Sequence, residues 1–512
     1  MDTVTYSGGT PPAPHLASAL EGAGFEVGPF RAVERTLLDT FDGRLHAGGV
    51  RLEVRGGAGG PTLILTGGGP APAQVVVARA PRVAGDLPAG PVRDRLAALL
   101  DIRALVPIVG VRARHAEAVR RDATGKAIVG VVLYEEVVTS RPCAAEVIPF
   151  EGYPRAVRQA EDLLASVGLV RTEGDVLDLA AAEAGVDLRG FIDSPSVALD
   201  PAEPVSAGFR RVLSNLAVTV DANRQGTIDD IDPEFLHDLR IAVRRSRSVL
   251  SHAKQVLPSA GRDHFRAELR WLGTITSPLR DLDVYLIEWP GYVAPLDPES
   301  VRALAPVVAH IASQRAAEHL ALAEHLQSPR YLGLMTAWRA WLDGPKAKTG
   351  RKAASAIATK GDRALGPVVV ATINGAQDRL LMHGRGIGPA SPAEELHELR
   401  KDAKRLRYLL ECFGGLLPPA TRKPFVQRLK MLQDNLGEFQ DTEVHTTQLT
   451  AMSHELLASS GVTADTLVAM GRLTEVFDRR RRAARAAFAD RFAAYDTKQT
   501  ARAFGEMIKA VR

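Results

Sequence analysis

His237, Arg240, Arg244 and Arg247 stand in the segment LHDLRIAVRRSR (236–247), separated by three, four and three positions. On a helix turning about 100° per residue, with His237 at 0°, the three arginines fall near about 300°, 340° and 280°. Leu239, Val243 and Leu250 then lie between about 200° and 240°, so a basic stripe runs beside an apolar one. Arg245, near about 80°, points elsewhere. A charged helix face is ordinarily just solvated, but like charges crowded within three turns repel one another unless an anion sits among them. The guanidinium fork suits phosphate oxygens, and ten residues of helix, about 15 Å, would meet several successive phosphates. The histidine then reads as a further phosphate donor, stronger below about pH 6.5. No neighbouring residue supplies the nucleophile and base of a hydrolase.

The segment returns as LHELRKDAKRLR at 396–407, and position i matches position i+160 without a gap from 236 to 284. The second stripe is therefore His397, Arg400, Lys404 and Arg407, with Lys401 and Arg405 on its flank. The register continues through Leu269-Arg270 with Leu429-Lys430, and through RDLDV (280–284) with QDTEV (440–444). A duplicated scaffold need preserve only apolar positions, whereas this repeat also preserves histidine and arginine. Two stripes joined by a pseudo-twofold pairing would line a channel for a linear polyphosphate. Asp281 and Asp283 diverge by about 200° on a helix, which favours orienting arginines or capping over sharing a metal ion. In RRRRAAR (479–485), Arg482 and Arg485 are i, i+3 neighbours whose partner in the first half falls near Arg315.

The elements carrying these residues follow from periodicity. Strand-sized runs occur at 50–55, 62–66, 74–80 and 127–138, separated by glycine clusters that include 56–60 and 67–69. With helices at 14–24, 91–101 and 153–168, they predict an α+β domain built on an antiparallel sheet. Beyond the proline-containing stretch 188–208 the apolar period becomes helical and stays so. The expected organisation is a first domain over 1–190, a linker over 191–208 and an all-α domain over 209–512, with repeats about 209–345 and 365–512. Charge divides the same way: 20 Lys and Arg against 23 Asp and Glu in 1–190, net −3, and 44 against 37 afterwards, net +7. Clustered positive charge collects polyanions. Two cysteines, Cys143 and Cys412, give neither a disulfide framework nor a zinc site. No signal segment and no apolar run near 20 residues is present, so a cytoplasmic protein off the membrane is expected.

LHDLRIAVRRSRSVL and LHELRKDAKRLRYLLECF, followed by RDLDV and LQDNLGEFQD, resemble the two half-repeats of the CHAD family, the conserved-histidine α-helical domain. The resemblance covers about 205–512. It implies two four-helix halves whose basic central surface binds inorganic polyphosphate, often on polyphosphate granules. By position it supports His237, Arg240, Arg244, Arg247 and Arg270 with His397, Arg400, Lys404, Arg407 and Lys430. Ser246 opposite Leu406, and Thr442-Glu443 opposite a Leu-Asp, depart from it. TLLDTFDGRLHAGGVRLEVR (36–55) and EGYPRAVRQAEDLLASVGL (151–169) resemble CYTH, the triphosphate-tunnel fold. Its chemistry is mostly missing here. Met1–Gly8 lacks the Glu-x-Glu-x-Lys strand, Thr66 stands for a lysine, and only Glu146 remains of a run of acids before Ile148 and Phe150. Arg51, Arg55 and Arg114 could still contact phosphate, but hydrolysis would want paired carboxylates to hold its metals.

The expectation is a polyphosphate-binding protein without catalysis, cofactor or metal, with Arg405 and Arg482 added to the residues above. A CYTH-type tripolyphosphatase or nucleotide-processing enzyme is the alternative. Nucleic-acid binding is disfavoured, since 5% aromatic residues and none within the first stripe leave little for base stacking.

Overall fold

The computed structural model describes residues 4–8, 12–56, 60–69, 71–135, 137–138, 143–191, 197–254, 256–344, 363–458 and 462–511. Met1–Thr3, residues 57–59 of the first glycine cluster, part of the 127–138 run, residues 192–196 of the linker, and Pro345 at the end of the first repeat lie outside them. The chain divides into two compact units, Met1–Asp193 and Ser194–Arg512.

The first unit holds strands β1 (Val4–Gly8), β2 (Glu26–Val27), β3 (Arg31–Thr40), β4 (Val50–Arg55), β5 (Thr62–Gly67), β6 (Ala73–Val76), β7 (Leu105–Arg121), β8 (Ala127–Glu135), β9 (Cys143–Pro149) and β10 (Val170–Thr172). Helices α1 (Ala13–Gly22), α2 (Arg44–Ala47), α3 (Pro91–Leu100), α4 (Pro154–Ser166) and α5 (Val176–Ala184) accompany them. One antiparallel sheet runs β10-β1-β9-β8-β7-β3-β4-β5-β6, with β2 on β7. The sheet curls strongly. Strands β3 and β9 are separated by β7 and β8, about 14 Å apart in a flat sheet, yet Arg35 on β3 lies 3.0 Å from Glu146 on β9. A tunnel-like interior results, with Leu16, Leu20 and Leu164 of α1 and α4 closing one apolar layer against Val129 and Val131.

The second unit is helical: α6 (Val205–Ile228), α7 (Pro233–His252), α8 (Ser259–Ile275), α9 (Ser277–Val293), α10 (Pro298–Ala303), α11 (Ala305–Gln327), α12 (Pro329–Asp343), α13 (Leu365–Gly386), α14 (Ala393–Cys412), α15 (Pro419–Ala458), α16 (Ala464–Tyr495) and α17 (Lys498–Lys509). Helix α6 begins inside the stretch that composition reads as linker. The starts of α6 and α13, α7 and α14, and α8 and α15 are each 160 residues apart. Reciprocal backbone bonds join the first pair: Val205 N–H donates to Arg363 O at 2.8 Å, and Leu365 N–H to Glu203 O at 2.9 Å. Across the halves, α6 meets α13 and α7 meets α14, while α9 meets α16 and α11 meets α15. Exchanging the halves returns the same set of contacts, the signature of a pseudo-twofold axis.

Local sequence sets the helix starts. Asp232 accepts from the backbone N–H groups of Glu234 and Phe235 ahead of Pro233, capping α7. Pro278 interrupts the path from α8 to α9 because it lacks an N–H. Its counterpart in the second half is Glu438, and α15 runs on as one helix of 40 residues. At the α6–α7 corner, a Cβ on Gly226 would stand 2.2 Å from the Phe235 ring, so the close approach requires glycine. Leu239, Val243, Leu399 and Ala403 are fully buried in the core shared by both halves.

Candidate anion-binding groove

Helices α7 and α14 bring their basic stripes together over three adjoining cavities, and Lys404 lines all of them. The central one, about 320 Å³, lies on the pseudo-twofold axis. Its walls include the equivalent pairs Arg240 and Arg400, Arg244 and Lys404, Asp281 and Asp441, and Val284 and Val444, with His237 and Arg280 beside them. A second, about 410 Å³, takes Arg244, Arg247, Arg266 and Arg270 from the first half and Lys401, Lys404 and Arg405 from the second. A third, about 380 Å³, takes Arg400, Lys404, Arg407 and Arg480, with Glu288, Asp434, Glu438 and Asp441.

Several arginines beside the groove have a carboxylate partner, among them Arg245, Arg400, Arg405 and Arg407. Among the described residues, Arg244, Arg247, Arg266, Arg270 and Lys404 have none within ion-pairing distance. Crowding shows in their proton affinity. Burial, then Arg400 and Arg244, pushes the Lys404 ammonium down to about 8. Burial, then Arg244, pushes Arg240 down to about 10. Arg247 is lowered by burial and by Arg270, Arg244 and Arg266. Like charges held together in a partly dehydrated site without counter-charge form a site waiting for an anion.

Other groups are held in place. Arg240, 5% exposed, donates through Nη1 to Thr276 Oγ1 at 2.8 Å and Ser277 Oγ at 3.1 Å, while its buried Nε has no hydrogen-bond partner. Arg400 is steered by Gln440 at 2.7 Å and Asp441 at 2.9 Å. Asp283 instead takes Arg315 at 2.8 Å, with Asp230 closing the same guanidinium, so Arg315 is spent on structure. Asp283 of RDLDV and Asp441 of QDTEV thus orient arginines.

Three of the sequence-selected residues stand apart from the groove cavities. His397 places Nε2 3.0 Å from Glu443 and packs on Phe439. Lys430 is exposed on α15 without lining them. Arg482 pairs with Glu475 at 2.8 Å; in its place Arg480, turned about 200° away on the helix, reaches the third cavity. The apolar period of Phe477, Ala484 and Phe488 places Arg480 nearer the packed face than Arg482, a signal the i, i+3 pairing of Arg482 with Arg485 did not use. Arg266, Arg280, Arg480 and His445 are groove residues that the stripes did not name. Arg266 was accessible, four positions before Arg270 on one face of α8. His445 was not: it is 93% buried by tertiary packing, with Tyr292 Oη 2.9 Å from Nε2.

Glu234, His237 and Asp238 bring ligand atoms within 4.8 Å of one another on α7. Arg280 stands 3.7 Å from Glu234 and competes for the carboxylate that a cation would want.

In the first unit, Arg35 is 3% exposed and bonds Glu53 at 2.7 Å, Glu146 at 3.0 Å and Asp175 at 2.9 Å, besides the Tyr134 hydroxyl. Arg51 binds Asp175 and Asp178, Arg55 binds Glu53, and Arg114 binds Glu135. The cations that the tunnel resemblance offers to phosphate are each matched by a carboxylate of the same unit. Asp175 and Asp178 form the capping box that starts α5, a signal in the sequence that the stripe-centred reading passed over.

A duplicated helical bundle with a cationic groove on the axis between its halves defines the class. Residues 211–450 match the model of the CHAD domain family, and the helical unit is a CHAD domain. No curated protein matches the chain. Among solved structures, the CHAD domain from the plant Ricinus communis is 25% identical, covering 57% of this chain and 96% of that one at a TM-score of 0.46. PptA from Streptomyces chartreusis is 17% identical over 57% of this chain and 99% of its own, at 0.43. A Hippeastrum protein described as an adenylyl cyclase with dominant triphosphatase activity is 15% identical over 37% of this chain and 99% of its own, at 0.28. Among the described residues, no helix is long and apolar enough to cross a membrane.

Proposed function

We propose that the helical unit binds inorganic polyphosphate in the groove between α7 and α14, without catalysis. The observation that carries this reading is the set of cations, Arg244, Arg247, Arg266, Arg270 and Lys404, that share one depression with no carboxylate in its lining. The groove's aromatic residues, Tyr408 and Tyr292, are 8% and 5% exposed, so they offer no platform for stacked bases. A ligand made of phosphates alone fits better than a nucleic acid. Residence on cytoplasmic polyphosphate granules belongs to the same reading, and a tagged protein should leave the granules when the groove charges are reversed.

The direct test is titration of the full chain with long-chain polyphosphate over a range of salt. Affinity should fall linearly on a log–log plot, by about 0.7 per phosphate neutralised as for single strands. R244E with K404E should abolish binding, and single-stranded RNA at equal phosphate should compete poorly. Retention of binding by the double variant, or preference for RNA, would overturn the reading.

The first unit serves in this reading as a scaffold. Its interior arginines are occupied by Glu53, Glu146, Asp175 and Asp178, so these acids are already committed rather than paired around an activating metal. Phosphate release from tripolyphosphate or ATP with magnesium or manganese should stay at background; turnover lost in E146Q would reverse this assignment.

A further inference from the structure

The three adjoining cavities follow one another along the groove, and charge is spread unevenly over them. At the end bounded by α8 the walls carry seven cations and no carboxylate. The central cavity has five cations against Asp281 and Asp441. At the end bounded by α15 and α16, four cations meet four carboxylates, and three of the four are engaged: Arg480 with Glu438 at 2.5 Å, Arg400 with Asp441 at 2.9 Å, Arg407 3.6 Å from Glu411; at the α8 end two of the seven are, Lys401 with Glu398 at 2.6 Å and Arg405 with Asp402 at 3.0 Å.

The repeat does not carry these charges: the carboxylates at 434 and 438 and the arginine at 266 each stand opposite an uncharged residue of the other half. Thr274 and Pro278 in the first half become Asp434 and Glu438 in the second, while Arg266 becomes Val426. Space does not end where the charge does. A further cavity of about 450 Å³ continues past Asp434, Glu438 and Arg480. What changes there is the potential, and a polyanion follows potential.

Resting on the polyphosphate reading, we propose that the groove is one-ended: it holds the terminal segment of a chain, whose end stops at Asp434 and Glu438 while the remainder leaves past Arg266 and Arg270. An internal segment would have to drive charged phosphates across the Glu288, Asp434 and Glu438 carboxylates. A terminus need not. The groove therefore selects chain ends, and its capacity for polyphosphate is set by the number of molecules rather than by the mass of phosphate.

The experiment is the saturating ratio of full-length protein to polyphosphate in fractions of graded chain length, read by sedimentation or light scattering. Wild type should saturate at one protein per chain end whatever the length. The isosteric variant E288Q/D434N/E438Q, which removes the charge and keeps the shape, should saturate in proportion to chain length. A wild-type ratio that grows with length, or a triple variant that still counts ends, overturns one-ended binding. Absence of any binding instead overturns the polyphosphate reading and takes this inference with it.

Discussion

Lys404 concentrates the chemistry of the groove in one ammonium. Held down to about 8 by burial and by Arg400 and Arg244, it gains protons when an anion arrives. The bound state holds more protons than the free state between about pH 8 and the raised value in the complex, so affinity falls as pH rises through that window. Below it, affinity should be flat with respect to Lys404. Titrations from pH 7 to 10 check this, and K404R should remove the fall. The same shift acts on folding with a definite sign. The unfolded chain, with an ordinary lysine, binds more protons above about pH 8, so the unliganded protein should gain stability as pH rises there. Arg240 makes the parallel case for a buried guanidinium. Its lowered proton affinity corresponds to about 3 kcal/mol by linkage, a cost that the proposed anion would offset. R240M should leave the unfolding midpoint level or higher while weakening polyphosphate binding about 10- to 100-fold, the range of a charged hydrogen bond. Arg35 has the opposite character. R35M leaves Glu53 and Glu146 buried and short of a partner, and should cost about 3–5 kcal/mol in chemical denaturation.

Among the elements, α7 and α14 place the site because each carries an apolar face into the common core beside its basic face. Their positions depend on tight corners. G226V would drive a branched side chain against the Phe235 ring, within 2.2 Å of where its Cβ must stand. It should destabilise by about 1–3 kcal/mol, read by thermal unfolding, and loosen the register of His237 and Arg240 against α9. The helical character of the second unit and helices α1, α3 and α4 were legible from their period, and the strands at 50–55 and 62–66 from their β-branched runs, whereas α2 and α5 were not read. Strand β7 was not, because its buried positions after Val111 are Ala113, Ala116 and Ala118, which carry little strand preference of their own. It forms because β3 and β8 pair with it on both sides, a tertiary demand that local composition does not express.

For the whole molecule, the repeat pairs two basic stripes, while carboxylates gathered at one end make the charge of the groove uneven. Two stripes of the same type and spacing, 160 residues apart, were enough to specify a paired basic surface. They contained most of its residues because helical geometry is local: three- and four-residue spacings choose a face before any other element is known. The fates of His397, Lys430 and Arg482 were decided elsewhere. Glu443, solvent and Glu475 claim them, and none of those neighbours is recorded in the spacing of the stripe. Likewise, Arg35 and the acids around it span β3, β4, β9 and α5, far apart in the chain and joined only when the sheet curls. The sequence by itself determined which helix faces carry charge and that there are two of them. Only the tertiary structure decided which charges meet, which are neutralised by their own fold, and which remain for a ligand, because those outcomes depend on distances between elements that no local pattern encodes.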